Sequence, residues 1–386
     1  MNRVCSIFSQ LLQVFPRGEF ERAVHKHQAE RHARGFSSWG QMVAMLFCQL
    51  GKAQSLREIC GGLAACEGKL RHLGVEQSPK RSTLAYANTH RPWQLYQTVF
   101  EQLLEKCQRE VRGGKKFRFK NKLLSLDGSV IDLSATMYDW AQFRRTKGGV
   151  KLHLLLDHDG YLPKYAVIEP AKKAEIKVAR SLALEPGSIV VFDRGYTDYK
   201  WFASLTKQGV YFVTRQRWNS YYRLVKENQV AKNGNVVSDQ IVLLGHRSYR
   251  TGVEVRRVVV HDPETDKEFV FLTNQMTLAA STIAKIYRDR WQIEVFFKAL
   301  KQSLRIKTFV GTSANALKTQ IWTALIAMVL LKYLKLKSSF DWSLSNLVAL
   351  LRQQLFVYRD LWSWLNQPFD PPPALEGLHD QLPLTF

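Results

Sequence analysis

Apolar residues between positions 1 and 112 recur every three to four places, the period of helices with one buried face. Residues 40–50 show it most clearly, with Met42, Val43, Leu46 and Leu50 on one side. Glycines and prolines fall mostly between such stretches, so an all-helical N-terminal domain is expected over 1–112. Residues 55–63 predict a short helix stopped at Gly61-Gly62. A second helix is expected over 78–88, with Ser82 or Thr83 near its start. Two short helices around a turn, the second opening on Lys80 and Arg81, suit a helix-turn-helix that lays polar side chains against DNA. An ordinary helical bundle fits the same residues, and Asn88, His90 and Arg91 belong equally to either. His25, His27 and His32 lie in a charged stretch and are expected to face solvent.

Gly113 and Gly114 end this pattern. The basic run that follows, with Phe117 and Phe119 interleaved, suits phosphate contact or a lysine-guarded edge strand. From Leu123 the pattern becomes short apolar runs. Residues 123–129 predict a strand running into Asp127-Gly128. Residues 150–157 and 161–168 predict a hairpin around Asp157, His158, Asp159 and Gly160. Helices at 174–184 and 201–208 then alternate with strands at 188–196 and 210–215. That alternation predicts a mixed α/β sheet of about five strands. Residues 216–274 interrupt it as a small β-rich insertion, with strands near 221–225, 240–244, 253–260 and 268–272. The core is expected over 113–312. A C-terminal helical region follows over 313–386, with helices at 319–335 and 343–365. The Pro- and Leu-rich tail from Asn366 is expected to be extended and available to a partner.

One further helix is expected over 279–306, without proline or glycine. Ile293, Phe296, Phe297, Leu300 and Leu304 share one side of it. Tyr287, Arg290, Glu294, Lys298, Lys301 and Arg305 stack on the neighbouring stripe. Such a row is either a solvated face with Arg290–Glu294 and Glu294–Lys298 pairs or a metal-binding carboxylate flanked by phosphate-binding cations.

Composition narrows the partners. The chain has 56 Lys and Arg against 33 Asp and Glu, a net charge of +23. An excess of that size predicts attraction to a polyanion, with a ribosome-associated or merely basic protein as the alternative. The basic residues are spread along the whole chain, which argues against a membrane-surface protein. No secretory leader is apparent, and the apolar run 321–334 is too short to span a bilayer and predicts a buried helix. Cys5, Cys48, Cys60, Cys66 and Cys107 match no zinc spacing and are expected as reduced thiols in the cytoplasm.

The carboxylates decide between the two readings of the 279–306 row. Asp127 and Asp193 each end an apolar strand, where α/β sheets place ligands, and each is closely followed by a glycine that permits near approach. With Glu294 they form a hard-oxygen site suited to Mg²⁺ or Mn²⁺, two ions about 3.5–4 Å apart serving phosphodiester cleavage. The cations beside Glu294, Arg290 and Lys298 among them, and Arg194 beside Asp193, would hold backbone phosphates. Asp157 and Asp159 are better explained as turn residues. Asp289 faces away from the Glu294 row. Asp198 falls after its strand has ended, and Asp132 and Asp139 lie near the strands as weaker rivals.

With these motifs in view, the chain resembles the IS4-type DDE transposases of bacterial insertion sequences. Residues 125–129 (Ser-Leu-Asp-Gly-Ser), 192–196 (Phe-Asp-Arg-Gly-Tyr) and a Tyr-x2-Arg-x3-Glu-x6-Lys spacing on Tyr287, Arg290, Glu294 and Lys301 carry the resemblance. It implies a ribonuclease-H-like core interrupted by a β insertion, with Asp127, Asp193 and Glu294 as the catalytic, metal-holding triad. It further implies contacts from Tyr287, Arg290 and Lys301 to transposon-end DNA, a homodimer at the paired ends, and cut-and-paste strand transfer at the bacterial nucleoid. A nuclease or resolvase on the same core, and a DNA-binding protein with a dead site, are the rivals. In some members a tryptophan of the insertion stacks on a flipped base. Trp218 is expected in core packing instead, and Trp291 is an equally weak stacking candidate.

Overall fold

The computed structural model describes residues 5–370, apart from 32, 34, 67, 111–116, 135–141, 145–146, 232–233, 246–252 and 305–308. The chain opens on helices α1 (Ile7–Leu12), α2 (Arg17–Lys26), α3 (Ser38–Leu50), α4 (Leu56–Ala64), α5 (Arg81–His90) and α6 (Gln94–Glu110). Serines set several of their starts: Ser6, Ser37 and Ser55 each accept from the backbone N–H three residues on. Strands β1 (Leu123–Ser134), β2 (Gln142–Arg144), β3 (Lys147–Asp157) and β4 (Leu162–Pro170) follow, then α7 (Glu175–Arg180), β5 (Ile189–Phe192), α8 (Tyr199–Lys207) and β6 (Tyr211–Arg215). Next come β7 (Tyr222–Glu227), β8 (Val236–Leu244), β9 (Val253–Asp262) and β10 (Lys267–Thr273). The chain continues through α9 (Ala280–Asp289), α10 (Trp291–Ser303), α11 (Ala314–Lys337), α12 (Leu344–Gln354) and α13 (Leu361–Asn366).

The five expected core strands lie in the order β4-β3-β1-β5-β6. The first three pair antiparallel, and β5 and β6 add in parallel. That is the ribonuclease-H-like arrangement. The four residues of β5 are all buried because helices cover both faces. Val190 and Phe192 pack beneath α7 and α8, while Ile189 and Val191 pack beneath α9.

The insertion is not a separate unit. β10 pairs with the free edge of β6, and β9, β8 and β7 continue outward, giving a single ten-stranded sheet. An open β6 edge would expose unpaired backbone groups, and β10 covers them.

The longest helix, α11, is apolar on nearly every side, and 83% of its most apolar window is buried within the fold. It packs against α3, α5, α6, α10 and α12, in one core that also takes Val150, Leu152, Leu154 and Leu156 of β3. The helices at the two ends of the chain therefore share a hydrophobic core. Their backbones also join: Ile7 N–H donates to Val357 and Phe8 N–H to Leu355. Leu325 is fully buried in this core. Leu325→Ala is expected to cost about 2–5 kcal/mol, read as a lower urea midpoint at unchanged slope.

Several expected elements differ in detail. The 343–365 helix is two, because Asp360 caps a new start by accepting from Ser363 N–H at 2.7 Å. α4 and α5 do not form the expected helix-turn-helix, since some sixteen positions including a 3₁₀ turn at Leu70–Leu73 separate them, far more than the three or four residues that motif needs. His27 is half-buried against Thr98 at 2.8 Å, whereas His25 is exposed. His32 lies outside the described residues. Phe117 and Phe119 stack on each other beside the α9 face of the sheet, in no strand. The tail beyond 370 and Arg305 also lie outside the described residues.

Candidate active site

Two neighbouring strands part at the site. β1 and β5 run parallel, and their last paired residues are Leu126 and Phe192. The next residue on each is an aspartate, so Asp127 and Asp193 lie where the two strands part, near enough for Asp193 to act on the Asp127 carboxyl. β1 does not end there, contrary to the sequence expectation. Its ladder with β3 continues through Asp127↔Leu154 to Ser134. The opening comes from β5 instead, which stops and turns through a 3₁₀ segment at Arg194–Tyr196.

Backbone groups aim both carboxylates. Gly128 N–H donates to Asp127 Oδ1 and Gly195 N–H to Asp193 Oδ1, each at 2.8 Å. Both glycines are tight. A Cβ on Gly128 would lie 3.0 Å from His153 Nδ1, and one on Gly195 would lie 2.9 Å from Asp193 Oδ1 and 3.2 Å from Glu175 Oε2. Gly195→Ala is therefore expected to push the Asp193 carboxylate aside. If Asp193 has the catalytic part that the sequence resemblance implies, DNA cleavage should fall about 10–100-fold with DNA affinity unchanged, as read by single-turnover cleavage beside a binding titration.

Glu294 reaches the site from a break that the sequence does not announce. The expected 279–306 helix is two helices meeting at Arg290, with three-residue backbone bonds on either side. Neither proline nor glycine causes it. Side chains next to each other are drawn in different directions: Asp289 to His158, and Arg290 to Asp127. The apolar stripe is as expected, with Ile293, Phe296, Phe297, Leu300 and Leu304 all buried.

Arg290 stands between two of the three acids. Its guanidinium donates to Asp127 Oδ2 at 3.3 Å and to Glu294 Oε1, and lies 5.6 Å from the Tyr287 ring. Its Nε is buried without a partner among the described residues. Burial pushes the Asp127 carboxyl up to about 6. Arg290 and the Gly128 N–H pull it down, while Asp193 and Glu294 push it further up, so both other acids act on Asp127. Burial opposes the Arg290 charge, yet Tyr287, Asp127 and Glu294 outweigh it and hold its pKa above the usual value.

As placed, no three Asp, Glu, His or Cys side chains among the described residues are close enough to ligate one ion. Arg290 takes the position between Asp127 and Glu294. Two observations nevertheless match the acids to a hard divalent cation. The donors are carboxylate oxygens, and the gap between Asp127 and Glu294 already accepts a positive charge.

The remaining candidates are dispersed. Lys301 Nζ donates to the Val130 carbonyl at 2.8 Å, on the strand that carries Asp127. Lys298 and Arg194 are exposed, and Tyr287 packs on Phe271. Lys80 and Arg81 are exposed at the start of α5, whose neighbours are α3, α4 and α11. Asp198 caps α8 and pairs with Arg180, Asp157 pairs with Lys122, Asp132 and Asp159 are exposed, and Asp139 lies outside the described residues. Trp218 is not in a core but 92% exposed. Its neighbour Arg217 donates to the carbonyls of Arg194 and Gly195, tying that loop to the turn after Asp193. Trp291 is also exposed.

Sequence reasoning missed a polar group on the other face of the sheet. Lys151 pairs with Glu175 at 2.8 Å, close to Gly195, and the buried His153 ring and Tyr196 hydroxyl there have no partner among the described residues. No spacing in the sequence links these four residues.

Residues 118–330 match the family model of the transposase DDE domain, a span that holds Asp127, Asp193 and Glu294. Residues 4–76 match a domain of unknown function (DUF4372). The chain is similar to a putative transposase of Sinorhizobium fredii, 29% identical over 328 residues that cover 83% of this chain and 89% of that protein. It is also similar to a probable insertion-sequence transposase of Geobacillus stearothermophilus, 28% identical over 255 residues, 66% of this chain and 67% of that one. Among solved structures, a piggyBac transposase synaptic complex with hairpin DNA aligns over 95% of this chain and 82% of that one, at a TM-score of 0.44 and 9% identity.

Proposed function

Since the chain belongs to the DDE transposase family and is a DNA transposase of the insertion-sequence kind, we propose that it moves its element by cut-and-paste, with Asp127, Asp193 and Glu294 as the catalytic carboxylates. The observation that carries this reading is the register of β1 and β5, which puts Asp127 beside Asp193, together with Arg290 linking Asp127 to Glu294.

Divalent ions held by these carboxylates, two Mg²⁺ or Mn²⁺ in our reading, supply an activated water or 3′-hydroxyl and a stabilised leaving oxygen. The chain's own groups do the rest. Gly128 and Gly195 fix the two aspartates through their N–H groups. Arg290 neutralises Asp127 and Glu294 until DNA arrives, then turns its guanidinium to a backbone phosphate, bidentate where geometry allows. Tyr287, Lys298, Lys301 and Arg194 hold the end DNA around the cut, with Lys301 also pinning β1. Lys80 and Arg81, on the exposed start of α5, contact the terminal inverted repeats. The net charge of +23 supplies the non-specific attraction. Two copies pair the two ends, at the nucleoid in the bacterial cytoplasm.

Incubation of purified protein with terminal-repeat DNA, a target plasmid and Mg²⁺ tests this. Joined product is expected. Cleavage without joining would favour a nuclease on the same core, and unchanged cleavage by Glu294→Gln would remove the catalytic assignment.

Trp218, exposed next to the Arg217 that holds the turn after Asp193, offers a base-stacking platform. Trp218→Ala is expected to leave the melting temperature within about 1–2 °C, as an exposed site should. It should weaken the end complex by about 1–3 kcal/mol, measured by DNA titration at fixed salt.

A further inference from the structure

Behind the active centre lies a buried chain of side chains with no evident part in the chemistry. His158 Nδ1 donates to Asp289 Oδ2 at 2.6 Å, and its Nε2 meets Ser125 Oγ at 2.6 Å. The Tyr161 hydroxyl also donates to Asp289, at 3.2 Å. Ser125, His158 and Asp289 are 0%, 6% and 4% exposed. A Ser–His–Asp row with these distances activates a hydroxyl nucleophile when the serine meets substrate. Here Ser125 meets none, because it faces the interior.

The ends of the row show what it does. Ser125 is two residues before Asp127 and shares its face of β1. Asp289 immediately precedes Arg290, at the break between α9 and α10. His158 sits in the β3–β4 turn, and its backbone N–H donates to Leu123 on the same β1. The connections close a ring: Ser125 to His158, His158 to Asp289, Asp289 along the chain to Arg290, Arg290 to Asp127. We propose that Ser125, His158 and Asp289 are positioning residues that set the distance from Asp127 to the Arg290–Glu294 helix break. This rests on the assignment of Asp127 and Glu294 to the active centre. A shift of that break breaks a buried hydrogen bond, so the row holds Glu294 near Asp127 before any cation or DNA is bound.

The test compares wild type with His158→Ala, His158→Gln, Asp289→Asn, Ser125→Ala and Asp127→Asn. Readouts are single-turnover cleavage, end-DNA affinity, melting temperature, and the histidine N–H proton spectrum of the DNA-free protein. His158→Ala and Asp289→Asn are expected to slow cleavage about 30-fold while end-DNA affinity changes by less than about 2-fold. His158→Gln, which keeps a donor and an acceptor, should recover part of the rate, and Ser125→Ala should lose about 5-fold. Wild type should show an imidazole proton far downfield of the amides that is absent from Asp289→Asn. Cleavage within about 3-fold of wild type in both His158→Ala and Asp289→Asn, beside an inactive Asp127→Asn, would overturn the positioning role alone. Equal losses of cleavage, affinity and melting temperature, or no downfield proton in wild type, would overturn it too. An active Asp127→Asn would instead remove the active-centre assignment, and the positioning role with it.

Discussion

Asp127→Asn is expected to abolish DNA cleavage, by about 10³-fold or more, and at the same time to stabilise the metal-free protein. The two effects share one cause. Asp127 is a mostly buried carboxyl raised from 3.8 to about 6, with burial as the first reason. Between about pH 4 and 6 the folded chain therefore binds more protons than the unfolded chain. Stability must then fall as pH rises through that window, and stays low above it. A shift of about two units corresponds to up to about 3 kcal/mol. Arg290 would lose one acceptor in the variant, so about 1–2 kcal/mol of net gain is expected. The check is a pair of urea curves in chelator, at about pH 8 and about pH 4. The variant should be the more stable at the higher pH, and the difference should vanish at the lower, where Asp127 is protonated in the native protein. A variant that still cuts DNA, or one less stable at the higher pH, would contradict the picture.

That tension also explains how much of the site could be read from the chain. Asp127-Gly128 and Asp193-x-Gly are visible because a charged residue after an apolar run is expensive to bury. The spacing of Tyr287, Arg290, Glu294 and Lys301 is visible because helical periodicity is local. The strands of the core and of the insertion are visible for the same reason. What was not visible depends on contacts between distant segments. The sequence suggests a turn at Gly128, but pairing with β3 keeps the strand going. Nothing local marks the break at Arg290, since its cause lies on β1 and in the β3–β4 turn. Apolar periodicity says that α11 is buried without saying that helices from both ends of the chain bury it. Trp218 looks like a core residue by type, and only the course of its loop leaves it exposed. Helical phase takes Asp289 out of the Glu294 row, and the structure gives it the buried contact with His158 instead.

Arg290→Ala is expected to bind Mn²⁺ more tightly than wild type and yet to cleave more slowly. In the DNA-free protein Arg290 is the cation between Asp127 and Glu294, and a divalent ion held there as proposed would compete with it for the same oxygens. Unit charges about 4 Å apart interact by about 4 kcal/mol at the dielectric of partly exposed sites. Removing the competitor should therefore tighten the ion by about 10-fold or more, after the cost of leaving two acids unpaired. Cleavage should fall about 100-fold, because on the proposed role of Arg290 the phosphate would lose its guanidinium partner. Arg290→Lys keeps the charge but not the fork, so it should bind Mn²⁺ as wild type does and still cleave slowly. Calorimetric titration of Mn²⁺ at about pH 8, above the window in which Asp127 titrates, separates these outcomes. Glu294→Gln is the reference that must lose both binding and cleavage. Should Arg290→Ala weaken Mn²⁺ as Glu294→Gln does, the guanidinium would be a support for the acids, not a stand-in for the ion. The closed arrangement around Arg290 would then be the working geometry of the site.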